Sequence, residues 1–197
     1  MSGRKQFDVD EALDKAMVVF WQRGYADASL DMLGTATGLG RGSLYGAFGG
    51  KDELFRRALD RYSATYGARY DDALTAHPGD PVRAVEAFFG VILARINDPA
   101  VPEGCLVAQA AAQSAVLTPE SAAHVRRLLD IQQARIRAAL DDPRADPAVL
   151  DDLAIYVVAI NQSLAVLSRA GASDRELRTV VRFACETVAS RFAPARS

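Results

Sequence analysis

The chain has 197 residues, of which 50% are apolar and 24% are charged, and its formal net charge is −2. This balance is typical of a soluble globular protein and excludes a largely disordered one. Residues 1–62 hold nine Lys or Arg and nine Asp or Glu, so charge alone does not indicate nucleic-acid binding. The N-terminus has no apolar signal segment, and no window approaches the ~20 uninterrupted apolar residues of a membrane span, so we expect a cytoplasmic protein.

Apolar residues recur with helical periodicity along the chain, and no segment alternates as a strand does, which predicts an all-α fold. The first helix is expected to start near Val9 and to end at Gly24. A short second helix is predicted from about Leu30 to Thr37 with Ser29 as its N-cap, and a third from Arg41 to Phe48.

Lys51 opens a long fourth helix that reaches roughly Ala76, where the segment HPGDP ends it. Proline and glycine residues separate the remaining helices. These are predicted at about residues 82–96, 105–115, 119–140, 148–170 and 174–192. The sequence therefore predicts about nine helices.

The segment SLDMLGTATGLGRGSLYGAFGGKDELF, residues 29–55, is the most informative part of the chain. Two helices too short to be stable alone are joined there by a glycine-containing turn, which is typical of a helix-turn-helix. Gly42 and Ser43 are small enough to let the third helix approach the floor of a DNA major groove, where Arg41 can reach a guanine edge or a phosphate. Alternatively, the segment is a helical corner that packs against a core and binds nothing.

Three further side chains are candidate phosphate contacts. The Tyr45 hydroxyl can donate to a phosphate, and Lys51 adds its charge to the free amides of a helix N-terminus. Ser29, at the start of the second helix, offers another anchor of that kind.

This arrangement resembles the TetR family of transcriptional repressors, through a long first helix that ends in Gly24, through Ser29, and through the motifs GLGRGSLYGAF and GGKDELF. The resemblance covers residues 8–60. It implies a homodimer that binds double-stranded operator DNA and is released by a small-molecule effector. It also implies a DNA-binding domain at residues 1–50 and a ligand-binding and dimerisation domain at residues 51–197.

In that family, the positions matching Tyr45 and Lys51 touch phosphates, and the positions matching Arg41, Gly42 and Ser43 lie on the recognition helix. The resemblance therefore assigns the same residues to DNA as their chemistry does.

Two glycines depart from the family pattern. The family commonly has a small hydroxyl residue where Gly40 stands and alanine where Gly34 stands. Each change costs about 1 kcal/mol of local helix stability. The helix-turn-helix is therefore expected to be loose before DNA binds. The same two glycines are the only hints of an alternative function, a helical small-molecule-binding or interaction protein without DNA binding.

Apolar residues repeat at spacings of three and four along the last two predicted helices. Two such helices from each subunit are predicted to form a four-helix interface in a homodimer. The predicted interface residues are Leu150, Leu153, Val157, Ile160, Leu164, Leu177, Val181, Ala184 and Val188. The alternative is that both stripes face the core of a single chain.

The resemblance also implies an effector cavity in the middle of the chain. Aromatic walls with a few polar groups are typical of small-molecule pockets, although core packing is the commoner role for such aromatic residues. The candidate lining residues are Tyr66, Tyr70, Phe88, Phe89, Ile92, Cys105, Gln109, Gln113, Tyr156 and Asn161.

The segment PEGCLVAQAAAQ, residues 102–113, is similar to one in a subset of the family that includes the repressor of N-ethylmaleimide reductase. In that subset a cysteine at a helix start senses electrophiles. Cys105 follows Gly104 at a predicted helix start, where the helix dipole favours a thiolate. An inert apolar role is the commoner one for an intracellular cysteine.

No motif in the sequence indicates catalysis. The chain has only two histidines, His77 and His124, with no phosphate-cradling glycine loop and no nucleophile beside a base in a motif. Cys105 and Cys185 lack the paired spacing of a zinc site. We therefore expect no enzyme activity, no cofactor and no metal site.

Overall fold

The computed structural model describes residues 8–193. Within that range it contains nine α-helices and no strand, which confirms the all-α prediction. The helices are α1 (Val9–Asp27), α2 (Leu30–Thr37), α3 (Arg41–Phe48), α4 (Lys51–Thr75), α5 (Pro81–Ile96), α6 (Leu106–Ala112), α7 (Pro119–Ala139), α8 (Pro147–Arg169) and α9 (Asp174–Phe192). The first seven residues of the predicted 1–50 domain and the last four of the predicted 51–197 domain lie outside the described residues.

Most helix bounds lie close to the predicted ones, and two differ for local reasons. α1 continues to Asp27, but Gly24 within it has φ 77° and ψ 177°, so α1 consists of two helical segments joined at that glycine. α6 is shorter than predicted because the chain turns into a 3-10 segment at Ser114–Val116.

The first three helices close around a core that α4 completes. The rings of Phe20 in α1 and Phe55 in α4 meet edge-on with centroids 5.0 Å apart. Leu33, Leu44 and Phe48 are buried in the same cluster, so α2 and α3 are each held by their apolar faces. The orientation of α3 therefore depends on α4 as well as on α2.

The apolar stripes predicted to form a dimer interface instead face the core of the single chain. α8 packs against α5, α7 and α9, and α9 packs against α5 and α8, so intrachain contacts occupy both stripes. Seven of the predicted interface residues are buried and have no surface left for a partner: Leu150, Leu153, Val157, Leu164, Leu177, Ala184 and Val188. Ile160 and Val181 are half-buried.

Exposed apolar residues remain on both helices, namely Ile155, Ala159 and Val166 on α8 and Phe183 on α9, and are called here the outer α8–α9 face. Ile155, Val166 and Phe183 are 53%, 61% and 56% exposed. Because apolar residues cover both sides of α8, this helix is long and apolar enough by length and composition to cross a membrane, which the sequence analysis did not anticipate. The core helix of a soluble bundle has the same properties, and α8 packs among α5, α7 and α9.

Candidate functional site

α3 is held by two side chains and exposes most of its first turn. Leu44 and Phe48 anchor it in the core, whereas Arg41, Gly42 and Ser43 are exposed. Apart from its chain neighbours and the backbone of α3 itself, no atom of residues 8–193 lies within 4 Å of the position that a Cβ would take at Gly42. The helix therefore presents a low surface beside an arginine, which is the shape that a major groove admits.

The N-terminus of α3 has no side-chain cap. Gly40 is the N-cap residue and makes no side-chain hydrogen bond to the first turn. The first backbone amides of α3 thus lack a side-chain acceptor, and the positive end of the helix dipole is uncovered. These donors are available to a phosphate.

The Arg41 guanidinium is bound by Asp31 of α2. Its Nε and Nη2 donate to Oδ1 of Asp31 at 3.2 and 2.9 Å. Both side chains are mainly exposed, so the pair contributes little to stability and opens easily. Arg41 must exchange this carboxylate for a base edge or a phosphate in order to contact DNA.

Tyr45 and Lys51 flank the end of α3. The Tyr45 side chain is 51% exposed, and Lys51 begins α4 as predicted. The Lys51 Nζ lies 4.6 Å from the centroid of the Tyr25 ring and donates to the Ala26 carbonyl oxygen at 3.4 Å. Burial lowers the pKa of Lys51, and the nearby Asp27 opposes this effect. The ammonium group is thus docked on the end of α1 and must turn to reach a phosphate.

Ser29 is exposed and caps α2 as predicted. Its hydroxyl oxygen accepts a hydrogen bond from the Met32 backbone amide at 3.1 Å. The hydroxyl hydrogen is not used by that bond, so Ser29 can donate to a phosphate while it caps the helix.

Gly34 is required by the turn between α2 and α3. A Cβ at Gly34 would lie 2.9 Å from the Leu39 carbonyl oxygen. The amides of Gly38 and Leu39 both donate to the Gly34 carbonyl oxygen. This glycine therefore permits a close approach of two backbone segments, which corrects the expectation that it only loosens the helix.

A cavity of about 210 Å³ lies among the C-terminal helices and α4. Its walls are mainly apolar and aromatic, and it is lined by Tyr62, Ser63, Ala64, Gly67, Tyr70, Leu74, Phe88, Cys105, Val107, Leu128, Ile131, Gln132, Arg135 and Gln162. Three of the predicted ligand-binding residues are in this lining, namely Tyr70, Phe88 and Cys105.

The other predicted ligand-binding residues do not line this cavity. Five are packed in or against the core: Tyr66, Phe89, Ile92, Tyr156 and Asn161. The side chains of Gln109, on α6, and Gln113, just after α6, reach α8 and α1 instead. Core residues and cavity residues share the same helical periodicity, so the sequence does not separate them.

Arg95 of α5 is a buried cation that the sequence analysis missed. It is 4% exposed, its Nε donates to the Tyr70 hydroxyl at 3.1 Å, and its Nη1 donates to the Gly104 carbonyl oxygen. Arg95 continues the buried stripe of Phe88 and Ile92 along α5. An arginine on the apolar face of an amphipathic helix was the available signal.

Two side chains hold the end of α1, one from Gln113 just after α6 and one from Arg169 of α8. The Gln113 Oε1 accepts a hydrogen bond from the Tyr25 backbone amide at 2.8 Å. Arg169 of α8 donates to the carbonyl oxygens of Trp21 and Gln22 at 3.0 and 2.5 Å. The helix that supports α2 and α3 is therefore tied to helices that surround the cavity.

The start of α4 is joined to α7 by a polar network. The Asp52 carboxylate accepts hydrogen bonds from the hydroxyls of Thr118 and Ser121 at 2.9 and 2.7 Å, and it also pairs with Arg56. Burial raises the pKa of the Asp52 carboxyl, but these hydrogen bonds and Arg56 bring it below its ordinary value. The segment that follows α3 is thus fixed to α7 by an ionised carboxylate.

Known bacterial proteins resemble this chain in sequence. Residues 12–58 match the model of a family described as bacterial regulatory proteins, tetR family. The HTH-type transcriptional repressor ComR of Escherichia coli (strain K12) is 30% identical over 184 residues, which cover 89% of this chain and 86% of ComR. The uncharacterized HTH-type transcriptional regulator YezE of Bacillus subtilis (strain 168) is 31% identical over 127 residues, which cover 64% of this chain and 65% of YezE.

Solved structures share the whole fold. A cysteine mutant of the TetR family transcriptional regulator CifR, complexed with 26-bp double-strand operator DNA, has a TM-score of 0.82 and 31% identity, over 94% of this chain and 98% of that one. The reduced form of NemR from Escherichia coli has a TM-score of 0.76 at 18% identity, over 93% of this chain and 96% of that one. The second likeness is one of fold alone.

Proposed function

This chain belongs to the TetR family of bacterial regulatory proteins, and on that premise we propose that it is a homodimeric repressor whose operator binding is relieved by a small molecule. It is a DNA-binding transcriptional regulator, in a family of regulators rather than enzymes. We assign residues 1–50 to DNA binding and residues 51–197 to ligand binding and dimerisation, in a protein that acts in the cytoplasm.

The exposed face of α3 is the observation that carries this proposal. Arg41, Gly42 and Ser43 stand on a helix whose first amides are uncapped, so the backbone can approach the groove floor. Tyr45 and Lys51 at the end of α3 supply donors for phosphates, which would fix the register of the helix. Ser29 supplies the corresponding donor at the start of α2.

We propose the outer α8–α9 face as the dimer interface, in place of the inward stripes. Ile155 and Val166 lie on the same side of α8, and Phe183 projects from α9, all more than half exposed. Two copies of this surface would form a four-helix bundle and present two copies of α3 to a palindromic operator. Burial of such a face stabilises a dimer because apolar area leaves water.

We infer that the effector acts on α3 through α6 and α1. Cys105 and Val107, at the start of α6, line the cavity, and Gln113 follows the end of α6 and holds the Tyr25 amide. A ligand that displaces α6 would move the end of α1, against which α2 packs. The two states must differ in ligand affinity for this coupling to operate.

The test is selection of bound duplexes from a random pool by the purified full chain, followed by binding measurements at several salt concentrations. We expect a palindromic consensus and an affinity that falls steeply with salt. Lys51→Ala and Tyr45→Phe are expected to weaken binding to every duplex alike. Arg41→Ala is expected to relax the preference at one position of each half-site by about 1–3 kcal/mol.

Arg126→Ala is the matched control for these variants, because it removes one positive charge from α7, where the side chain is 75% exposed. It is expected to leave duplex binding unchanged. If the parent protein ignored every duplex at low ionic strength, the alternative of a small-molecule-binding or interaction protein would replace the repressor. If all three site variants bound a confirmed operator like the parent, the residue assignment would be wrong.

We also propose that Cys105 is where thiol-reactive electrophiles act, as in the family subset of the N-ethylmaleimide reductase repressor. Its position supports this role, because Cys105 lines the cavity. Burial, with Glu86 and Glu186, raises the pKa of the Cys185 thiol to about 11, so Cys185 is nearly all protonated at neutral pH. N-ethylmaleimide is therefore expected to label Cys105 first and to release operator DNA, whereas Cys105→Ser protein should keep its operator. Alkylation of Cys105 that leaves operator binding unchanged would rule this role out.

A further inference from the structure

Three buried side-chain polar atoms have no hydrogen-bond partner in the part of the chain that the structure describes. They are the Tyr62 hydroxyl, Nη2 of Arg95 and Oε1 of Gln162. Tyr62 and Gln162 line the cavity, and Arg95 is hydrogen-bonded to Tyr70, which also lines it. Buried polar atoms are nearly always paired, so two unpaired atoms in the lining and a third behind Tyr70 indicate that a partner binds there.

Arg95 carries a buried charge among neutral neighbours. Its guanidinium contacts the Tyr70 hydroxyl, the Gly104 carbonyl oxygen and, at 5.7 Å, the Trp21 ring, and no carboxylate of residues 8–193 pairs with it. The guanidinium of arginine is protonated at every working pH, so Arg95 is a buried cation. A buried guanidinium without a counter-ion is rare, because its desolvation is not compensated.

The cavity lining favours an anion of small size. Among the described residues no acidic side chain is in the lining, and its single charged residue is Arg135, whose Nε lies 3.2 Å from Oδ1 of Asp71. The remaining surface is largely apolar, with Phe88 and Leu128 among its members. A volume of about 210 Å³ lies below the roughly 300–1,000 Å³ of pockets for drug-sized ligands, so the cavity suits a small ligand.

We propose that the cavity binds a small organic monoanion, a carboxylate with an apolar body, whose carboxylate pairs with Arg95 and Tyr62. The proposal rests on the proposed function, since this is the cavity assigned to the effector. The apolar body packs against Phe88 and Leu128, and Gln162 accepts a hydrogen bond from a hydroxyl or N–H of the ligand. Because the three unpaired atoms are enclosed in the free protein, entry of the ligand requires rotation of the side chains around them.

The experiment compares matched acids and amides on the full chain. Benzoate, para-hydroxybenzoate and hexanoate are each titrated against the corresponding uncharged primary amide, with melting temperature and calorimetric affinity as readouts. We expect the acids to raise the melting temperature and at least one acid to bind about tenfold or more tightly than its amide, as a charge-assisted hydrogen bond predicts.

Two variants assign the effect to the unpaired atoms. Arg95→Met removes the charge while filling similar space, so it is expected to abolish the preference for acids and to keep or raise the melting temperature without ligand. Tyr62→Phe removes only the unpaired hydroxyl and is expected to weaken acid binding several-fold, which keeps the proposal testable if Arg95→Met does not fold. Arg135→Met is the matched control in the same lining and is expected to keep the preference.

Operator binding, measured on the same preparations, separates this proposal from the proposed function. Three outcomes in a protein that binds duplex would overturn the anion site and leave the regulator intact. They are equal affinity for acids and amides, acid binding unchanged by Arg95→Met or Tyr62→Phe, and no response to any acid. Acid binding that depends on Arg95 in a protein that binds no duplex would support the site and overturn the repressor.

Discussion

The Tyr25 backbone amide in α1 donates a hydrogen bond to Gln113, just after α6, at 2.8 Å. Gly24, which precedes Tyr25, has φ 77°, and a Cβ at this glycine would overlap the Gln113 side-chain amide. The break in α1 is therefore shaped to receive a side chain from a helix that borders the cavity. This contact is one link in the fold between α6, whose Val107 lines the cavity, and the unit that carries α3.

Gln113→Ala is expected to destabilise the protein and to loosen the end of α1. Loss of the acceptor leaves the Tyr25 amide unpaired and costs about 1 kcal/mol, or about 2–4 °C in melting temperature for a chain of this size. Hydrogen exchange is expected to accelerate at Tyr25 and Ala26, whose amides both point to Gln113. Gln133→Ala on α7 is the control, and unchanged exchange at Tyr25 in the Gln113 variant would contradict the link.

Gly34→Ala and Gly90→Ala are expected to change stability in opposite directions. Helix propensity favours alanine by about 1 kcal/mol at both positions. Nothing lies within 4 Å of a Cβ at Gly90 in α5, so that variant should be more stable than the parent. At Gly34 the Cβ would lie 2.9 Å from the Leu39 carbonyl oxygen, so the turn must shift and stability should fall. Urea unfolding measures both, and a stabilised Gly34→Ala protein would show that the turn is not tight.

Asp31→Asn is expected to raise the affinity for duplex DNA of any sequence by a few-fold. The substitution frees Arg41 and removes a negative charge beside the recognition helix, so the gain should be largest at low salt. Asp130→Asn, which breaks the exposed pair with Arg126 on α7, is the charge-matched control. Equal affinities for the parent and the Asp31 variant would mean that this carboxylate does not compete with DNA.

Val166→Asp is expected to convert the dimer to a monomer. Val166 is 61% exposed on the outer α8–α9 face, and a buried carboxylate there would lack a partner in the assembled interface. Val116→Asp, in the 3-10 segment, changes an equally exposed valine outside that face and should stay dimeric. Light scattering at micromolar concentration distinguishes the two, and a dimeric Val166 variant would place the interface elsewhere.

The stability of the fold is expected to fall in acid in part through Asp142. Hydrogen bonds from the Arg144 side chain and backbone lower the pKa of the Asp142 carboxyl to about 2. Because this lies below the unfolded value of about 3.9, ionised Asp142 stabilises the fold above about pH 4, and the contribution is lost as the pH falls towards 2.

Asp142→Asn is therefore expected to be less stable than the parent at neutral pH, and the difference should shrink between about pH 4 and pH 2. Urea unfolding across this range measures it. Asp141→Asn, whose native side chain is 75% exposed, should show a smaller difference throughout. A gap between the parent and Asp142→Asn that stays constant down to pH 2 would contradict the assignment.

What the sequence predicts well depends on residues that are close together in the chain. The helix bounds, the Ser29 cap and the exposed first turn of α3 follow from such local patterns. The roles of Arg95 and Gln113 do not, because each depends on partners many residues away. The stripes predicted to form a dimer interface are buried in the single chain, and the sequence did not reveal this because an apolar stripe has the same spacing whether it faces its own core or a second copy.

The hydroxyls of Thr118 and Ser121 hold Asp52 in the first turn of α4, while Phe55 in the following turn completes the core under α3. α4 therefore carries both the side chain that supports α3 and the carboxylate that binds the start of α7. Recombination that exchanges DNA specificity between relatives by crossing over just after α3 would separate the core under α3 from its own Phe55, although Asp52 would keep its own Thr118 and Ser121. A chimera that folds must therefore take the first two turns of α4 from the same parent as α1–α3. The other parent must then supply two hydroxyl side chains at the start of α7 that can bind the Asp52 carboxylate.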